Sequence, residues 1–518
     1  MQTFIAYLLF AFQWLAILPG ILASPKVISL DFDRYEVFGD TKPGLRRRDT
    51  SGADITNSQG SLLYLLNVTI GTPPQKLSLQ LDTGSSDIWL PWAKSSQCSN
   101  RNTRCSGSGS FDETLSSSYQ LLQASTFLIS YVDGTKIRGD YIRDNLAVGS
   151  SSVINMTMGL AKTASEQDNV SPFQGIIGVG FETGEAVYAQ TGQVYPNIIS
   201  QFKASGAINT RAYSLWLNSK ENGKGTILFG GVDTAKYSGD LVSLPIQPDA
   251  RTGTVMSFTV ALDNFNVMGA NSQNQYSKSN LSLPVILDSG TTLTYLPDSM
   301  ANDLYTGVGA TVSTTYGVVV PCDLQNSAAT FNFGFGNPNG PVITAPIAQF
   351  VLPFPADIPA PTFRSTGKVA CRWGIQAAAN RPILFGDTFL RGAYVVYNLD
   401  NNEIGLANAI VNATTSNVKE ITAKQIPGIT STAAGVAKQT ASGLQGPNSA
   451  AFSTGSGVIA TATGPAFNLG SSTAGASSSN AGGKKSAAGV NSPSMGVVTM
   501  LAGVVSIMAI LGGALLLG

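Results

Sequence analysis

Histidine is absent from all 518 residues. That absence excludes the Ser-His-Asp and Cys-His arrangements of nucleophilic hydrolases and every zinc site built on imidazole. Charge is scarce too: Asp, Glu, Lys and Arg make up 12% of the chain, about half the usual share. The 31 basic and 31 acidic residues cancel, and no lysine or arginine run is long enough to point to nucleic acid. What remains for hydrolytic chemistry is carboxylates and hydroxyls. The four cysteines, Cys98, Cys105, Cys322 and Cys371, are too irregularly spaced for an all-thiolate zinc site, so no metal or other cofactor is expected. Of the three disulfide connectivities open to them, Cys98 with Cys105 and Cys322 with Cys371 is preferred, because each bond closes a loop within one half of the chain.

Both ends carry the marks of export. Residues 1–23 hold an apolar stretch from Phe4 to Leu22 followed by Ala23-Ser24, the pattern of a signal peptide. Residues 24–48 end in Arg46-Arg47-Arg48, and three arginines in a charge-poor chain suggest a propeptide cut after Arg47-Arg48. Residues 49–60 form a lead-in. Beyond Asn412 the composition shifts to Ser, Thr, Ala and Gly, which buries too little apolar area to order itself, so 412–482 is expected to be a flexible, glycosylated stalk. Residues 483–518 end in an uncharged apolar tail from Gly496, with nothing following it, as in a GPI-attachment signal. Asn480 is the first choice for the attachment site, and a single-span tail anchor is the alternative. Sequons stand at Asn67, Asn155, Asn169, Asn280 and Asn412, where N-glycosylation is allowed.

Between these ends the chain reads as strands. Short β-branched and aromatic runs, among them Tyr64 to Ile70, Phe127 to Tyr131, Ala212 to Leu217, Thr226 to Phe229 and Ala393 to Asn398, are separated by Gly, Asn and Asp turns. Ile198 to Ala204 and Ser299 to Tyr305 are the best helix candidates. The fold class is therefore all-β with a few short helices.

One stretch occurs twice. Leu79-Gln80-Leu81-Asp82-Thr83-Gly84-Ser85-Ser86 returns as Val285-Ile286-Leu287-Asp288-Ser289-Gly290-Thr291-Thr292. Alignment also pairs Trp89 with Tyr295 and Pro91 with Pro297. Downstream, Ile176-Ile177-Gly178 answers Leu384-Phe385-Gly386, 96 residues after Asp82 and 98 after Asp288 respectively. A carboxylate at the end of a buried strand loses hydration, and two in matching positions call for a shared purpose. The repeat implies two similar lobes, 61–245 and 246–411, each contributing one aspartate to a common site.

These motifs, with Ile70-Gly71-Thr72-Pro73-Pro74-Gln75 ahead of the first and Ile383-Leu384-Phe385-Gly386-Asp387 after the second, resemble the pepsin-like aspartic proteinases. The likeness runs from about Leu62 to Asn408. With the export signal, basic site, stalk and apolar tail, the layout is similar to the GPI-anchored fungal yapsins. The resemblance implies a bilobal fold with a pseudo-two-fold axis and a monomeric enzyme. It also implies an acid endopeptidase, held on the outer face of the plasma membrane or in the cell wall, that takes extended peptides. Asp82 and Asp288 would be the catalytic pair. Thr83 and Ser289 would bridge the two loops, Gly84 and Gly290 would bring amides to the carboxylates, and Ser85 and Thr291 would bond their outer oxygens. Tyr131-Val132-Asp133-Gly134-Thr135 resembles the flap that closes over substrate, with Trp89 supporting Tyr131 and Asp133 assisting a preference for basic residues. Phe173 and Ile176 would line a substrate pocket. The alternative is a catalytically silent member of the same fold that binds protein or glycan in the wall. A carboxylate-based glycosidase would also need two acids, but the Asp-Thr/Ser-Gly repeat gives it little support.

Overall fold

A computed structural model describes residues 25–36, 62–99, 105, 107–132, 134–165, 173–221, 223–313, 316–336, 339–354, 360–379, 381–422, 425–433 and 465–470. Arg47, Arg48, Asp133, Asn169 and Asn480 lie outside them, as do the expected signal peptide and apolar tail. Among the described residues, no helix is long and apolar enough to cross a membrane.

The first half is built from β1 (Ile28–Glu36), β2 (Leu62–Ile70), β3 (Gln75–Asp82), β4 (Ile88–Pro91), β5 (Gln120–Ser130), β6 (Lys136–Val148), β7 (Ser151–Ser165) and β8 (Ile176–Gly178). They belong to a 14-stranded sheet. From β2 the order continues β3, β8, β4, β7, β6, β5. On the other side of β2 come β1, then Lys224–Phe229, Ala212–Trp216, Ala393–Asn398, Glu403–Ala409, Tyr237–Pro245 and Ile429–Thr432. Strands from both ends of the chain thus form one continuous platform. The second half has its own sheet, in which Thr259–Met268, Leu283–Leu287, Leu384–Phe385 and Thr294–Leu296 lie side by side. The strands leading to the two aspartates are buried between layers, with Leu79, Leu81, Val285 and Leu287 fully enclosed. That explains why they read as apolar runs.

The two expected helices form. Ile198–Ala204 starts at Asn197, whose side chain accepts from the Ser200 amide at 3.2 Å, and it buries Ile198, Ile199 and Phe202. The second is longer than its sequence reading, Asp298–Val308. Asp298 favours its positive end, and Gly309 stops it with a φ of 71°.

Ordered strands extend into two segments that the sequence reading set outside the lobes. β1 falls within the segment expected to be a propeptide, yet it is paired antiparallel on both sides, with Lys224–Phe229 and with β2, and buries Ile28, Leu30 and Phe32. The stalk does not begin at 412. Val418–Glu420 pairs with Gly231–Asp233, Ile429–Thr432 lies parallel to Tyr237–Pro245, and Ile421, Ile426 and Ala433 are buried. A few isoleucines in a Ser/Thr/Ala background suffice, because a preformed sheet edge and apolar patch receive them. Averaged composition cannot register so local a docking.

The structure bridges Cys98 to Cys105 and Cys322 to Cys371, with Cα–Cα distances of 5.1 and 4.9 Å. The side chains of Asn67, Asn155, Asn280 and Asn412 are all exposed, including that of Asn67 within β2.

Candidate active site

Each aspartate sits where a buried strand breaks into a tight loop. β8 runs parallel to β3, placing Gly178 beside Asp82, and antiparallel to β4, so the Asp82 loop closes over it. Leu384–Phe385 stands in the same relation to Leu283–Leu287 and Thr294–Leu296, and the Asp288 amide donates to the Phe385 carbonyl at 3.1 Å. The hydrophobic-hydrophobic-Gly marks follow from this close threading. A Cβ on Gly178 would lie 2.7 Å from the Asp87 carbonyl oxygen, and one on Gly386 would collide with that of Thr291.

The loops are locked reciprocally. The Thr83 amide donates to Ser289 Oγ at 3.1 Å and the Ser289 amide to Thr83 Oγ1 at 2.8 Å. Each hydroxyl then donates across the interface, Thr83 to the Leu287 carbonyl and Ser289 to the Leu81 carbonyl, both at 3.0 Å. Four bonds between fully buried partners fix the spacing of the lobes at this point. Gln80 adds a fifth, from Nε2 to the Gly290 carbonyl at 3.0 Å.

Asp82 and Asp288 are both fully buried. The Gly84 amide donates to Asp82 Oδ1 and the Gly290 amide to Asp288 Oδ1, each at 2.8 Å. A side chain at either glycine would meet the opposite carboxylate: a Cβ on Gly84 would be 2.6 Å from Asp288 Oδ1, and one on Gly290 would run into Asp82 Oδ1. Thr291 Oγ1 donates to Asp288 Oδ2 at 2.6 Å, and the Ser85 hydroxyl lies beside Asp82.

The two carboxyls are within hydrogen-bonding reach of each other. Burial raises the Asp82 carboxyl, against the bonds from Ser85, Asp288 and Gly84. Asp288 is pushed well above the usual carboxylate range, by burial first and then by the charge of Asp82, with Thr291 and Gly290 opposing. The two carboxyls therefore resist ionising together, and the pair titrates as a unit that shares one proton. Among the described residues, no cluster of acidic or thiol groups could hold a metal ion.

β5 and β6 form an antiparallel hairpin whose turn follows Tyr131. The Tyr131 amide donates to the Thr135 carbonyl at 2.8 Å and the Gly134 amide to the Tyr131 carbonyl at 3.0 Å, with Gly134 at a φ of 93°. Trp89 Nε1 donates to the Tyr131 hydroxyl at 2.6 Å. The Trp89 ring is 5.4 Å from that of Phe173, and both pack with Tyr131 and Ile176 in one buried cluster. The structure thus gathers Thr83, Gly84, Ser289, Gly290 and Thr291 around the two aspartates, and Trp89, Tyr131, Phe173 and Ile176 in a second cluster.

Sequence reading missed three supports. Gln80 is a polar residue inside an apolar strand, a detectable oddity. Asp87 and Glu185, both fully buried, are joined through Tyr195, whose hydroxyl donates to Asp87 Oδ1 at 2.7 Å and whose amide donates to Glu185 Oε2 at 2.9 Å. Across the lobes, the Tyr64 hydroxyl donates to Asp387, which also pairs with Arg391 at 3.0 Å in full burial. No spacing in the sequence announces either of these last two groups.

The family described as Eukaryotic aspartyl protease matches residues 63–409. The chain is 39% identical to a probable aspartic-type endopeptidase opsB of Aspergillus oryzae over 85% of this chain and 90% of that protein. It is 35% identical to an acid protease of Saccharomycopsis fibuligera, over 74% of this chain and 93% of the relative. Barrierpepsin of Saccharomyces cerevisiae is 31% identical over 68% of this chain and 61% of its own length. The crystal structure of the aspartic proteinase from Irpex lacteus superposes with a TM-score of 0.54 at 19% identity, covering 76% of this chain and all of that one, a likeness of fold. On the matched span and these identities, the chain belongs to the eukaryotic aspartyl protease family and is an aspartic-type endopeptidase.

Proposed function

We propose that this endopeptidase works in acid, on extended peptide segments, with a water molecule activated between Asp82 and Asp288, and that it is exported and held at the cell surface by a GPI lipid. The observation that carries the mechanism is the buried carboxyl pair, symmetrically bonded by the Gly84 and Gly290 amides; with one proton shared by the pair, Asp82 serves as the ionised member. In that state ionised Asp82 accepts a proton from the water as the oxygen attacks the scissile carbonyl. Protonated Asp288 donates to the carbonyl oxygen and stabilises the developing charge. Collapse of the tetrahedral intermediate breaks the C–N bond, and a proton from the pair passes to the leaving nitrogen. The Thr83–Ser289 lock keeps the carboxyls in register, Thr291 and Ser85 orient their outer oxygens, and the Tyr131 hairpin covers the substrate. Phe173 and Ile176 back the wall on which an apolar side chain would rest.

Digestion of a denatured protein between pH 3 and 6, with and without pepstatin, tests the reading. Cleavage that pepstatin abolishes is expected. Its absence across the whole range would favour the silent wall-binding alternative. The anchor rests on sequence alone, on the apolar tail behind a small-residue spacer and Asn480. Treatment of intact cells with a phosphatidylinositol-specific phospholipase is expected to release the protein, and retention of all of it on membranes would favour a spanning tail.

A further inference from the structure

Most of the chain beyond Ala433 is Ser/Thr/Ala/Gly-rich, but six residues of it, Pro465-Ala466-Phe467-Asn468-Leu469-Gly470, are seated on the second lobe. The seat is formed by the end of the helix Asp298–Val308, the turn between Thr259–Met268 and Asn274–Lys278, and Ser327. Backbone bonds hold the segment along its length. The Phe467 amide donates to the Gly307 carbonyl at 2.9 Å, one of the carbonyls that a helix end leaves without an internal partner. The Ala270 amide donates to the Asn468 carbonyl at 3.0 Å, and Ser327 Oγ to the Leu469 carbonyl at 2.7 Å. The Asn468 amide reaches Gln275 Oε1 at 3.3 Å. Leu469 is buried in the main core, and the Phe467 ring packs against that core 6.3 Å from the Tyr276 ring.

The fit of Phe467 is specific to a glycine. The three heavy atoms nearest to a Cβ built on Gly307 all belong to the Phe467 ring, close enough to collide. Glycine in the last turn of a helix is costly, since it weakens the helix relative to alanine. Its φ is not in the left-handed region, so the backbone does not require it here. The open space over Gly307 is accounted for by the ring that fills it.

We propose that this groove is a docking site for the chain's own tail, a latch in which Phe467 and Leu469 are the two anchors. Thirty-one residues separate Ala433 from Pro465, so docking is intramolecular and runs at the high effective concentration of a short tether. The latch moves the point where the chain leaves the catalytic body from Ala433 to Gly470. If the tail is lipid-anchored at Asn480, as proposed above, a spacer of forty-seven residues becomes one of ten. The extended reach falls from roughly 160 Å to roughly 35 Å. The second lobe is then turned towards the membrane and held close to it, with substrate access restricted to that layer.

Docking is testable without the anchor, by hydrogen exchange on the full secreted chain. Slow exchange is expected in 465–470 and at Ala270, at least tenfold below the flanking stalk. Phe467→Ala should bring 465–470 to the rate of the flanks and speed Ala270, while cleavage of a soluble peptide stays unchanged. Gly307→Ala should do the same while leaving the helix Asp298–Val308 as protected as before or more so. A synthetic peptide of residues 463–472, added to the Phe467→Ala chain, should restore protection at Ala270, and its Phe→Ala counterpart should not. Exchange of 465–470 at stalk rates in the unaltered chain, or full protection retained in Gly307→Ala, would overturn the proposal. Phospholipase release reads the anchor separately, so a soluble chain with a protected latch leaves docking standing and removes only the membrane geometry.

Discussion

Asp82→Asn is expected to lower cleavage of any peptide by roughly 10²–10⁴-fold or more, the range that a positioned acid or base contributes. The substitution keeps the volume and lets the Gly84 amide still donate to a side-chain oxygen, so the Thr83–Ser289 lock is undisturbed. It removes the group that takes the proton from water and the charge that, after burial, raises the Asp288 carboxyl. It should also stabilise the fold near neutrality, because two buried carboxyls that resist ionisation become one. Activity and stability are thus predicted to move in opposite directions, which separates a catalytic loss from misfolding. Asp288→Asn should behave likewise. Peptide cleavage by the purified Asp82→Asn chain within threefold of the unaltered enzyme would remove Asp82 from the mechanism.

How far this site could be read beforehand depended on where the constraint lies along the chain. The aspartate loops were legible because the two halves repeat, and the lock, the glycine approach and the threading of Gly178 and Gly386 are each local consequences of one loop shape. The helix Ile198–Ala204 was legible because its cap, apolar face and stop are contiguous. Gln80 was visible as a polar residue in an apolar strand, but its partner, the Gly290 carbonyl, is 210 positions away. The pairing of Asp387 with Tyr64 bridges 323 positions, and a single sequence without repetition at those sites holds no trace of it. Phe467 and Leu469 were hidden for another reason. Composition averages over a window, whereas docking depends on two side chains and a groove elsewhere in the fold.

The stability of the fold is expected to fall as pH rises from 4 to 7, and the Asp87–Tyr195–Glu185 group is the main reason. Burial raises Asp87 to about 6, against the bonds from Tyr195 and from the Ala186 amide at 2.8 Å. Burial likewise raises Glu185 to about 10, the Tyr195 amide opposing and the neighbouring Asp87 and Glu182 adding to the rise. Among the described residues, neither is paired with a cation. A carboxyl raised on folding contributes its full stability below its ordinary value and loses it as pH climbs through the folded one. For Asp87 that window runs from 3.8 to about 6 and amounts to about 3 kcal/mol at 1.36 kcal/mol per unit. Glu185 starts to lose at 4.5 and has lost about 3 kcal/mol more by pH 7. A sum of about 6 kcal/mol is comparable with the whole stability of many domains. The Asp82–Asp288 pair adds to the same trend. Asp400 works the other way: although burial opposes it, Lys203 and Arg211 hold it at about 2, so its contribution is lost as pH falls from 3.8 to about 2. The optimum for the fold therefore lies near pH 4. Thermal unfolding should shift downwards between pH 4 and pH 7 by on the order of ten degrees. Glu185→Gln and Asp87→Asn should each recover about half of that shift at pH 7 while changing little at pH 4. A melting temperature flat from pH 4 to 8 in the unaltered chain would show that these carboxyls do not govern it.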